Sequence, residues 1–554
     1  GGDAGGSRYS PADLIRPGNV ADLEIAWEHR SGDVSADFPN KGFSFEVTPV
    51  LSGRRLFAVA SSGLVYAVDA ATGEELWRFD PGLDRRRRYS EHAARGVSLW
   101  RGEAAVCPER TLFGTLDGQA WALDAATGRP CPDFGSSGRV DLTTGVGGVR
   151  PGEYGITSPP AVIGDLAVFG SAIGDNGATD LERGIVRAVD VRTGAVRWAF
   201  DPIPLDPADP ASATWQDGSA ARTGAANAWA PPSADVQRGL VFVSTGSASP
   251  DFFGGERPGD NVYANSVVAL DAADGAVVWH RQLVHHDVWD YDVPMQPTLV
   301  DLPMADGVVP AVVVATKTGM LFVFHRETGA NLHAVEERPV PASDIPGERL
   351  SPTQPHSTLP EISDGRALGP DDAFGVLWFD ERWCREILST WRSEGRFTPP
   401  TTAGTIVYPS WAGGANWGGV SVRPDGLAVV LASELPGLLK LLPIGEAAAA
   451  RASGEYEGWQ ITEMRGTPYA MARRMFLSPL GMPCIRPPWG RATAVDLVTG
   501  ERRWTRPLGT IADLAPAIVP DLGWGTPLIG GPLQTGGGLV FVGAAAEHAF
   551  RALD

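Results

Sequence analysis

The sequence has few cysteines and no long hydrophobic run, and each absence excludes a class of protein. Four cysteines occur in 554 residues and none forms a Cys-x-x-Cys pair, which excludes a zinc ribbon and a thioredoxin-like motif. A Cys-x-x-Cys-His motif for haem attachment is also absent. No stretch of about 18 or more apolar residues is present, so the sequence offers no candidate for a membrane-spanning helix.

Positive charge is also scarce, which bears on the choice of partner. The chain has 46 Lys and Arg against 66 Asp and Glu, and its formal net charge is −20. Such a surface repels a phosphate backbone, so nucleic acid is not expected as a partner. The one basic run, Arg85 to Arg88, is interpreted as a solvated loop, with contact to an anionic lipid surface as the alternative.

Glycine (68), proline (46) and tryptophan (18) are abundant instead, and a turn motif repeats along the chain. The copies are AVDAATGEELW (67–77), ALDAATGRPC (122–131), AVDVRTGAVRW (188–198), ALDAADGAVVW (269–279) and AVDLVTGERRW (494–504), with FHRETG (324–329) as a degraded copy. Each copy follows an apolar, β-rich run. In each turn the Asp can bond the backbone, Gly supplies a positive φ, and the trailing Trp offers an apolar plate.

The repeat predicts an all-β chain of four-stranded antiparallel blades. Copies recur roughly every 55 to 80 residues, which suits a β-propeller with long loop insertions. Residues 446–459 are predicted to form one short surface helix, and residues 333–408 read as excursions from the propeller. We therefore expect a single propeller domain over residues 1–554.

Several motifs together resemble a known family. The repeats are similar to the tryptophan-docking motifs of pyrroloquinoline quinone (PQQ) dehydrogenases, and NVADLEIAW (19–27) is similar to their first-blade strand. Further stretches resemble the membrane-bound branch that oxidises glucose, quinate and polyols: FEVTPV, RGVSLW, CPERTLFGTLDGQAWALDAATG, YGITSPPAV, ANAWAPPSAD, VHHDVWDYDVPMQPTLVDL, KTGMLFVFHRETG, FTPPTTAGTIVYP, NWGGVSV and FLSPLGMPC. The matches run in order along the whole chain.

The resemblance implies an eight-bladed propeller on the periplasmic side of the bacterial inner membrane. Members of the branch carry an N-terminal membrane anchor, which this sequence lacks, and its final FRALD begins a repeat, so the last blade is expected to be truncated. Periplasmic exposure makes disulfides reasonable, and Cys107 with Cys131 is the expected pair because the two flank one predicted hairpin.

The resemblance also assigns PQQ contacts. Trp229 matches the tryptophan that stacks on the quinone, and Arg95 and Lys317 match residues that bond it. Blade packing for Trp229 and plain surface charge for the two cations are the alternatives. The further contacts that it implies are Glu46, Thr157, Asn416 and Trp417.

A divalent cation, Ca²⁺ or Mg²⁺, is implied beside PQQ, and hard oxygen ligands suit either ion. The matching ligands are Asp175, Asn227 and Asp290, with Asn176 as an alternative to Asp175. Taken singly, Asp-Asn in a Gly-rich turn more often forms an Asx-turn.

In VHHDVWDYDVP (284–294), Asp290 matches the general base, and Lys317 completes the catalytic pair. His285 and His286 are expected to be structural, because adjacent strand residues point to opposite faces and do not readily chelate one zinc ion. Asp287 and Asp292 are expected to support the turn from outside the site.

The implied reaction is oxidation of a sugar or polyol hydroxyl, with a glucose-type aldose going to its lactone as the first expectation. Quinate, shikimate or a cyclic polyol is the alternative substrate, and a non-catalytic propeller scaffold is the alternative function. Membrane ubiquinone is the expected electron acceptor. Two departures concern the other face of PQQ: no adjacent cysteine pair is present, and Glu91 stands four residues before Arg95 where the branch has a histidine, with His92 one residue nearer.

Overall fold

A computed structural model describes residues 3–33, 44–103, 106–174, 176–511 and 522–554, and β-strands dominate it. The first four sheets each contain four antiparallel strands. Sheet 1 comprises Val50–Ser52, Arg55–Val59, Val65–Asp69 and Glu75–Phe79. Sheet 2 comprises Ser98–Arg101, Glu109–Gly114, Gln119–Asp124 and Arg139–Asp141. Sheet 3 comprises Ala161–Ile163, Leu166–Phe169, Val186–Asp190 and Val196–Phe200. Sheet 4 comprises Ser233–Asp235, Leu240–Ser244, Ser266–Asp271 and Val277–Gln282.

Three further sheets continue the series. Sheet 5 has three strands, Thr298–Met304, Gly307–Ala315 and Leu321–His325. Sheet 6 has four, Val420–Val422, Leu427–Ser433, Gly490–Asp496 and Arg502–Pro507. Sheet 7 takes strands from both ends of the chain, namely Tyr9–Ser10, Pro532–Thr535, Val540–Val542 and Arg551–Leu553. Tyr9–Ser10 pairs in parallel with Pro532–Thr535.

The remaining elements lie in insertions. A further sheet, which we call the excursion sheet, comprises Thr405–Val407, Gly437–Pro443, Tyr469–Met475 and Gln460–Glu463. In the sequence, the last three of these strands lie between the second and third strands of sheet 6. Two-stranded ladders join Tyr154–Gly155 to Ala172–Ile173 and Val335–Pro339 to Thr353–Ser357. The α-helices are Trp378–Thr390 and Ala447–Ala452, and 3₁₀ turns span Val20–Asp22, Pro210–Thr214, Gln216–Ala221, Pro370–Asp372 and Ile444–Glu446. The helix Ala447–Ala452 was predicted, whereas the helix Trp378–Thr390, which lies within residues 333–408, was not.

The repeated turns join adjacent sheets as the sequence suggested. In the turn of sheet 4, Asp271 accepts the backbone N–H of Ala273 at 2.8 Å, and Gly275 has a φ of +77°. Trp198 of sheet 3 donates its indole N–H to the carbonyl of Ala272 at 2.9 Å, and a Cβ on Gly275 would meet its ring at 2.6 Å. Only glycine therefore leaves room for the indole.

The same arrangement recurs at other sheet boundaries. The indole N–H groups of Trp27, Trp77 and Trp279 donate to the carbonyls of Ala70, Ala125 and Arg326. Sheet 5 has no fourth strand with a tryptophan. His333 takes that position, and its Nε2 donates to the carbonyl of Leu497 in sheet 6 at 2.7 Å.

The first strands of successive sheets also contact each other. Such contacts link sheets 2 to 3, 3 to 4, 4 to 5, 5 to 6 and 6 to 7. Sheets 1 and 2 are linked just before their first strands, where Thr48 bridges to Gly96. The first strands are therefore the inner strands, as in propeller blades.

Two disulfides tie down long connections. Cys107–Cys131 confirms the expected pair, with a Cα–Cα distance of 6.0 Å. Cys384–Cys484, with a Cα–Cα distance of 5.3 Å, ties the helix Trp378–Thr390 to a segment 100 residues further along the chain. No helix in the described ranges is long and apolar enough to cross a membrane.

Candidate active site

The antiparallel order of the strands determines where the site lies. In each antiparallel sheet, the docking turns between the third and fourth strands lie at one end. The opposite end holds the start of the first strand, the end of the second strand and the start of the third strand. Segments leading into first strands carry many of the predicted site residues: Glu46, Arg95, Thr157, Asn227, Trp229, Asp290, Asn416 and Trp417. Lys317 lies in the turn after the second strand of sheet 5. The predicted residues are therefore brought to the same end of successive sheets.

Most of them line one cavity of about 290 Å³, a volume near the lower end for small-molecule pockets. The predicted residues in its wall are Glu46, Arg95, Asn227, Trp229, Asp290, Lys317, Asn416 and Trp417. Thr157 is not in the wall. Its hydroxyl accepts a hydrogen bond from Arg95 Nη1 at 2.6 Å, so it orients the arginine instead. Asp175 lies outside the described residues.

Arg95 is at the centre of one side of the cavity. Its Nε lies 2.9 Å from a carboxylate oxygen of Glu46, and its guanidinium lies 4.9 Å from the centre of the Trp229 ring. Glu91 also lines the cavity, 3.8 Å from Arg95 Nη2, whereas His92 is buried beside the Tyr89 ring. Glu91, not His92, is therefore the side chain that this turn presents to the cavity.

Asp290 and Lys317 form a buried ion pair in the cavity wall. Lys317 Nζ donates to Asp290 Oδ1 at 2.6 Å and to Asp292 Oδ2 at 2.7 Å. Burial alone would lower the pKa of Lys317, but the two carboxylates outweigh burial and raise it well above its ordinary value. Asp290 has a φ of +61°, an uncommon conformation for a residue with a Cβ, which persists because the surrounding contacts hold it.

The other aspartates of the stretch divide between structure and site. Asp287 accepts the backbone N–H groups of Trp289 and Tyr291 at 3.0 and 2.9 Å, and burial raises its pKa. It caps the turn, as expected. Asp292 was expected outside the site but lines the cavity, where it accepts hydrogen bonds from Lys317 and from Trp229 Nε1.

The adjacent histidines serve separate structural contacts. His285 Nδ1 bonds to Gln282, whereas His286 lies between the Gly259 carbonyl at 2.7 Å and the Glu348 carboxylate at 2.8 Å. Their ring nitrogens are committed to different partners. This agrees with the expectation that they do not chelate one ion.

Sequence reasoning missed several residues of the wall. Ser247 and Asp251 follow the second strand of sheet 4, at the same end as the predicted residues, so their position relative to the repeat could have identified them. Trp411 and Arg473 belong to or adjoin the excursion, which has no repeat to place it. Nothing in the sequence pattern indicates that they reach the cavity.

The side chains suit the expected cofactor. PQQ is a planar tricarboxylate, and the cavity offers the cations Arg95 and Lys317 together with the flat indoles of Trp229 and Trp417. Guanidinium and ammonium groups bind carboxylates, and indoles stack on planar rings. The donor set therefore fits PQQ.

Fewer of the expected metal ligands can be described. Asn227 donates Nδ2 to the carbonyl of Ser171 at 2.7 Å, which leaves its Oδ1 as the atom available to a cation. Within the described part of the chain, no group of three or more His, Cys, Asp or Glu side chains is arranged to hold an ion. Asn227 and Asp290 both line the cavity, which suits an ion that prefers oxygen ligands.

Comparison with known proteins identifies the family. The profile of the family described as "PQQ: Glucose/ethanol/alcohol dehydrogenase, beta-propeller domain" matches residues 1–554. The chain is a PQQ-dependent quinoprotein dehydrogenase. The quinoprotein's sheets 1 to 7, with first strand against first strand, are accordingly blades of a β-propeller.

Individual relatives agree with this assignment. The quinoprotein is 37% identical over 591 residues to the quinate/shikimate dehydrogenase (quinone) of Acinetobacter baylyi, covering 100% of this chain and 71% of that protein. It is 36% identical over 574 residues to quinoprotein glucose dehydrogenase A of Acinetobacter calcoaceticus, covering 99% and 71%. The solved quinohemoprotein alcohol dehydrogenase from Comamonas testosteroni superposes with a TM-score of 0.66 at 24% identity, covering 97% of this chain and 68% of that one, which supports the fold alone.

Proposed function

We propose that this quinoprotein dehydrogenase oxidises the secondary hydroxyl of a sugar, polyol or hydroxy acid, with Asp290 as the general base. The observation that carries this proposal is the buried Asp290 in the cavity wall, its Oδ1 held by Lys317 at 2.6 Å. A carboxylate held in this way has a fixed position in the cavity wall, as a general base must have.

The chain's residues supply the acid–base part of the reaction. Asp290 takes the proton of the substrate hydroxyl while the hydrogen on the same carbon leaves as hydride, so the C–OH group becomes C=O. When bound, PQQ supplies the quinone carbonyl that accepts the hydride, with a divalent cation as the Lewis acid beside it. Lys317 keeps Asp290 in place and neutralises part of the charge.

Cofactor binding is divided among the remaining residues. Arg95, oriented by Glu46 and Thr157, would bind a PQQ carboxylate, and Trp229 would stack on its rings. Asn416 and Trp417 lie in the wall and would complete the contacts. The proposed ligands of Ca²⁺ or Mg²⁺ are Asp175, Asn227 and Asp290.

The electrons would pass to a membrane quinone such as ubiquinone. The Acinetobacter baylyi relative is named as a dehydrogenase with a quinone. The proposed location is the periplasmic side of the bacterial inner membrane, with attachment through an N-terminal anchor, because the resemblance to the membrane-bound branch implies both.

The eight-blade count has one structural support. Trp27 docks on sheet 1 as the fourth-strand tryptophans dock on the following sheet, yet it belongs to none of the sheets of the described chain. We infer that Val20–Trp27 runs in an eighth blade between sheets 7 and 1. An experimental structure with further strands paired to this segment would support the count, and direct contact of sheets 7 and 1 would contradict it.

A substrate panel tests the function. The protein is loaded with PQQ and Ca²⁺ or Mg²⁺, and an artificial dye acceptor reports oxidation of aldoses, cyclic polyols and hydroxy acids. We expect activity only with both PQQ and the cation present. PQQ binding without oxidation of any alcohol would contradict the dehydrogenase assignment, and absence of PQQ binding would favour a non-catalytic scaffold.

A further inference from the structure

Arg473 reaches the cavity from the excursion sheet and not from the turns of the blades. It lies in the strand Tyr469–Met475 and lines the cavity. The next residue, Arg474, has its guanidinium 5.3 Å from the Trp383 ring and 4.8 Å from the Trp459 ring, and it does not line the cavity. Because successive strand residues face opposite sides, the two arginines have different surroundings.

The guanidinium of Arg473 is fixed in one plane. Its Nε donates to Gln460 Oε1 at 3.0 Å and its Nη1 to Asp290 Oδ2 at 3.1 Å. Trp411 and Phe252 lie 5.1 and 5.4 Å from it, and the side chain is only 9% exposed. These bonds engage two of the five N–H donors, and Nη2 makes no hydrogen bond within the described part of the chain.

Arg473 has no carboxylate partner of its own among the described residues. Its carboxylate partner, Asp290, is shared with Lys317, and Lys317 also holds Asp292. The planar fork of arginine matches a carboxylate in two parallel hydrogen bonds. The remaining Nη edge is therefore suited to an anionic oxygen pair on a ligand in the cavity.

We propose that Arg473 binds a carboxylate of the substrate, so that the substrate is a polyhydroxylated carboxylic acid. This inference rests on the proposed function, because the substrate must also place a secondary hydroxyl at Asp290. The hydroxyl proton goes to Asp290, the hydride to the bound quinone cofactor, and the carboxylate is unchanged. A carboxylated polyol thus replaces the uncharged aldose as the first substrate expectation.

The test compares quinate with its uncharged methyl ester in the PQQ- and cation-loaded enzyme. We expect kcat/KM for quinate to exceed that for the ester by about 100-fold, mainly through KM, because a site with buried charged donors rejects a ligand that leaves them unpaired. Arg473→Met should reduce the preference to less than about 10-fold, and Arg473→Lys should restore part of it. The matched control, Arg474→Met, should leave the preference unchanged.

Calorimetry provides a readout that does not depend on turnover. Quinate should bind the unmodified loaded protein more tightly than the ester does, and Arg473→Met should remove that difference while leaving PQQ affinity within a few-fold. An equal preference for acid and ester in the unmodified protein overturns the inference, even if no variant folds.

The remaining outcomes separate this inference from the proposed function. If Arg473→Met lowers kcat/KM equally for the acid and for the ester, Arg473 is a positioning residue for Asp290. A parallel loss of PQQ affinity would make it a cofactor ligand, and either result overturns the inference alone. Absence of oxidation of any alcohol overturns the proposed function, while quinate binding to the loaded protein still decides the role of Arg473.

Discussion

The two ends of the same sheets use the same kinds of residue in opposite ways. At the docking end, Asp, Gly and Trp recur in successive copies, and Trp198 packs on Gly275 of the next sheet. At the cavity end, the blades present side chains that do not follow the repeat, such as Arg95, Trp229 and Asp290. In a repeat protein, a residue that recurs holds neighbouring units together. A residue that occurs once at an equivalent position is free to do chemistry.

The tryptophans make the comparison concrete. Trp198 is 6% exposed, and its indole N–H bonds to the backbone carbonyl of Ala272. Trp229 instead lies beside Arg95, lines the cavity and directs its indole N–H to the Asp292 side chain at 3.3 Å. The first contact is with backbone that any sequence would provide, whereas the second depends on particular side chains.

The largest effect is expected from comparing an aspartate-to-asparagine substitution at the cavity end with one at the docking end. Asp290→Asn should lower turnover of the loaded enzyme by about 10²–10⁴-fold, because the proton acceptor is lost, while the fold is retained. Asp271→Asn, in a docking turn, should keep turnover, since asparagine also caps such turns. Comparable turnover in Asp290→Asn and the parent would remove the mechanism, and equal losses in both variants would remove the comparison.

Removal of a docking tryptophan should affect stability and not cofactor binding. Trp279→Ala loses the 2.9 Å bond to the Arg326 carbonyl and the packing against Gly329, so the free energy of unfolding should fall by about 3–5 kcal/mol. Chemical denaturation measures this change, and PQQ titration of the folded fraction serves as the control. A selective loss of PQQ affinity would show that the docking end reaches the site.

The converse is expected for the cavity tryptophan. Trp229→Ala should weaken PQQ binding by about 1–3 kcal/mol, by analogy with the stacking of aromatic side chains on planar bases. Titration of the cofactor-free protein with PQQ measures the loss, and its melting temperature should change less than that of Trp279→Ala. A large drop in melting temperature with unchanged PQQ affinity would mean that Trp229 is a packing residue.

The smallest effect separates backbone conformation from docking. Gly275→Ala and Gly239→Ala both place a Cβ at positive φ, at +77° and +65°. The new methyl would meet the Trp198 ring at 2.6 Å in the first variant, and nothing within 4 Å in the second. We expect Gly275→Ala to cost at least about 1 kcal/mol more than Gly239→Ala in denaturant unfolding, because overpacking adds to the backbone strain. Equal costs would mean that the indole moves aside freely.

Prediction from sequence succeeded where the repeat applies and failed where it does not. The docking turns and the strand-rich sheets follow from local patterns, whereas Arg95, Trp229 and Asp290 were assigned by the resemblance to a family. The helix Trp378–Thr390 was missed, because it lies in an insertion that no neighbouring copy helps to interpret. Thr157 was assigned to the cofactor, yet its hydroxyl contacts Arg95 and it does not line the cavity.

The sequence by itself determined the turns and the sheets, because a turn's φ requirement and its capping bond involve residues only a few positions apart. Which side chains meet in the cavity was decided by the tertiary structure. Arg473 bonds to Asp290 across 183 residues, and the Cys384–Cys484 disulfide closes the excursion across 100. Such contacts depend on where the excursion sheet lies relative to the blades, and no local sequence pattern predicts that position.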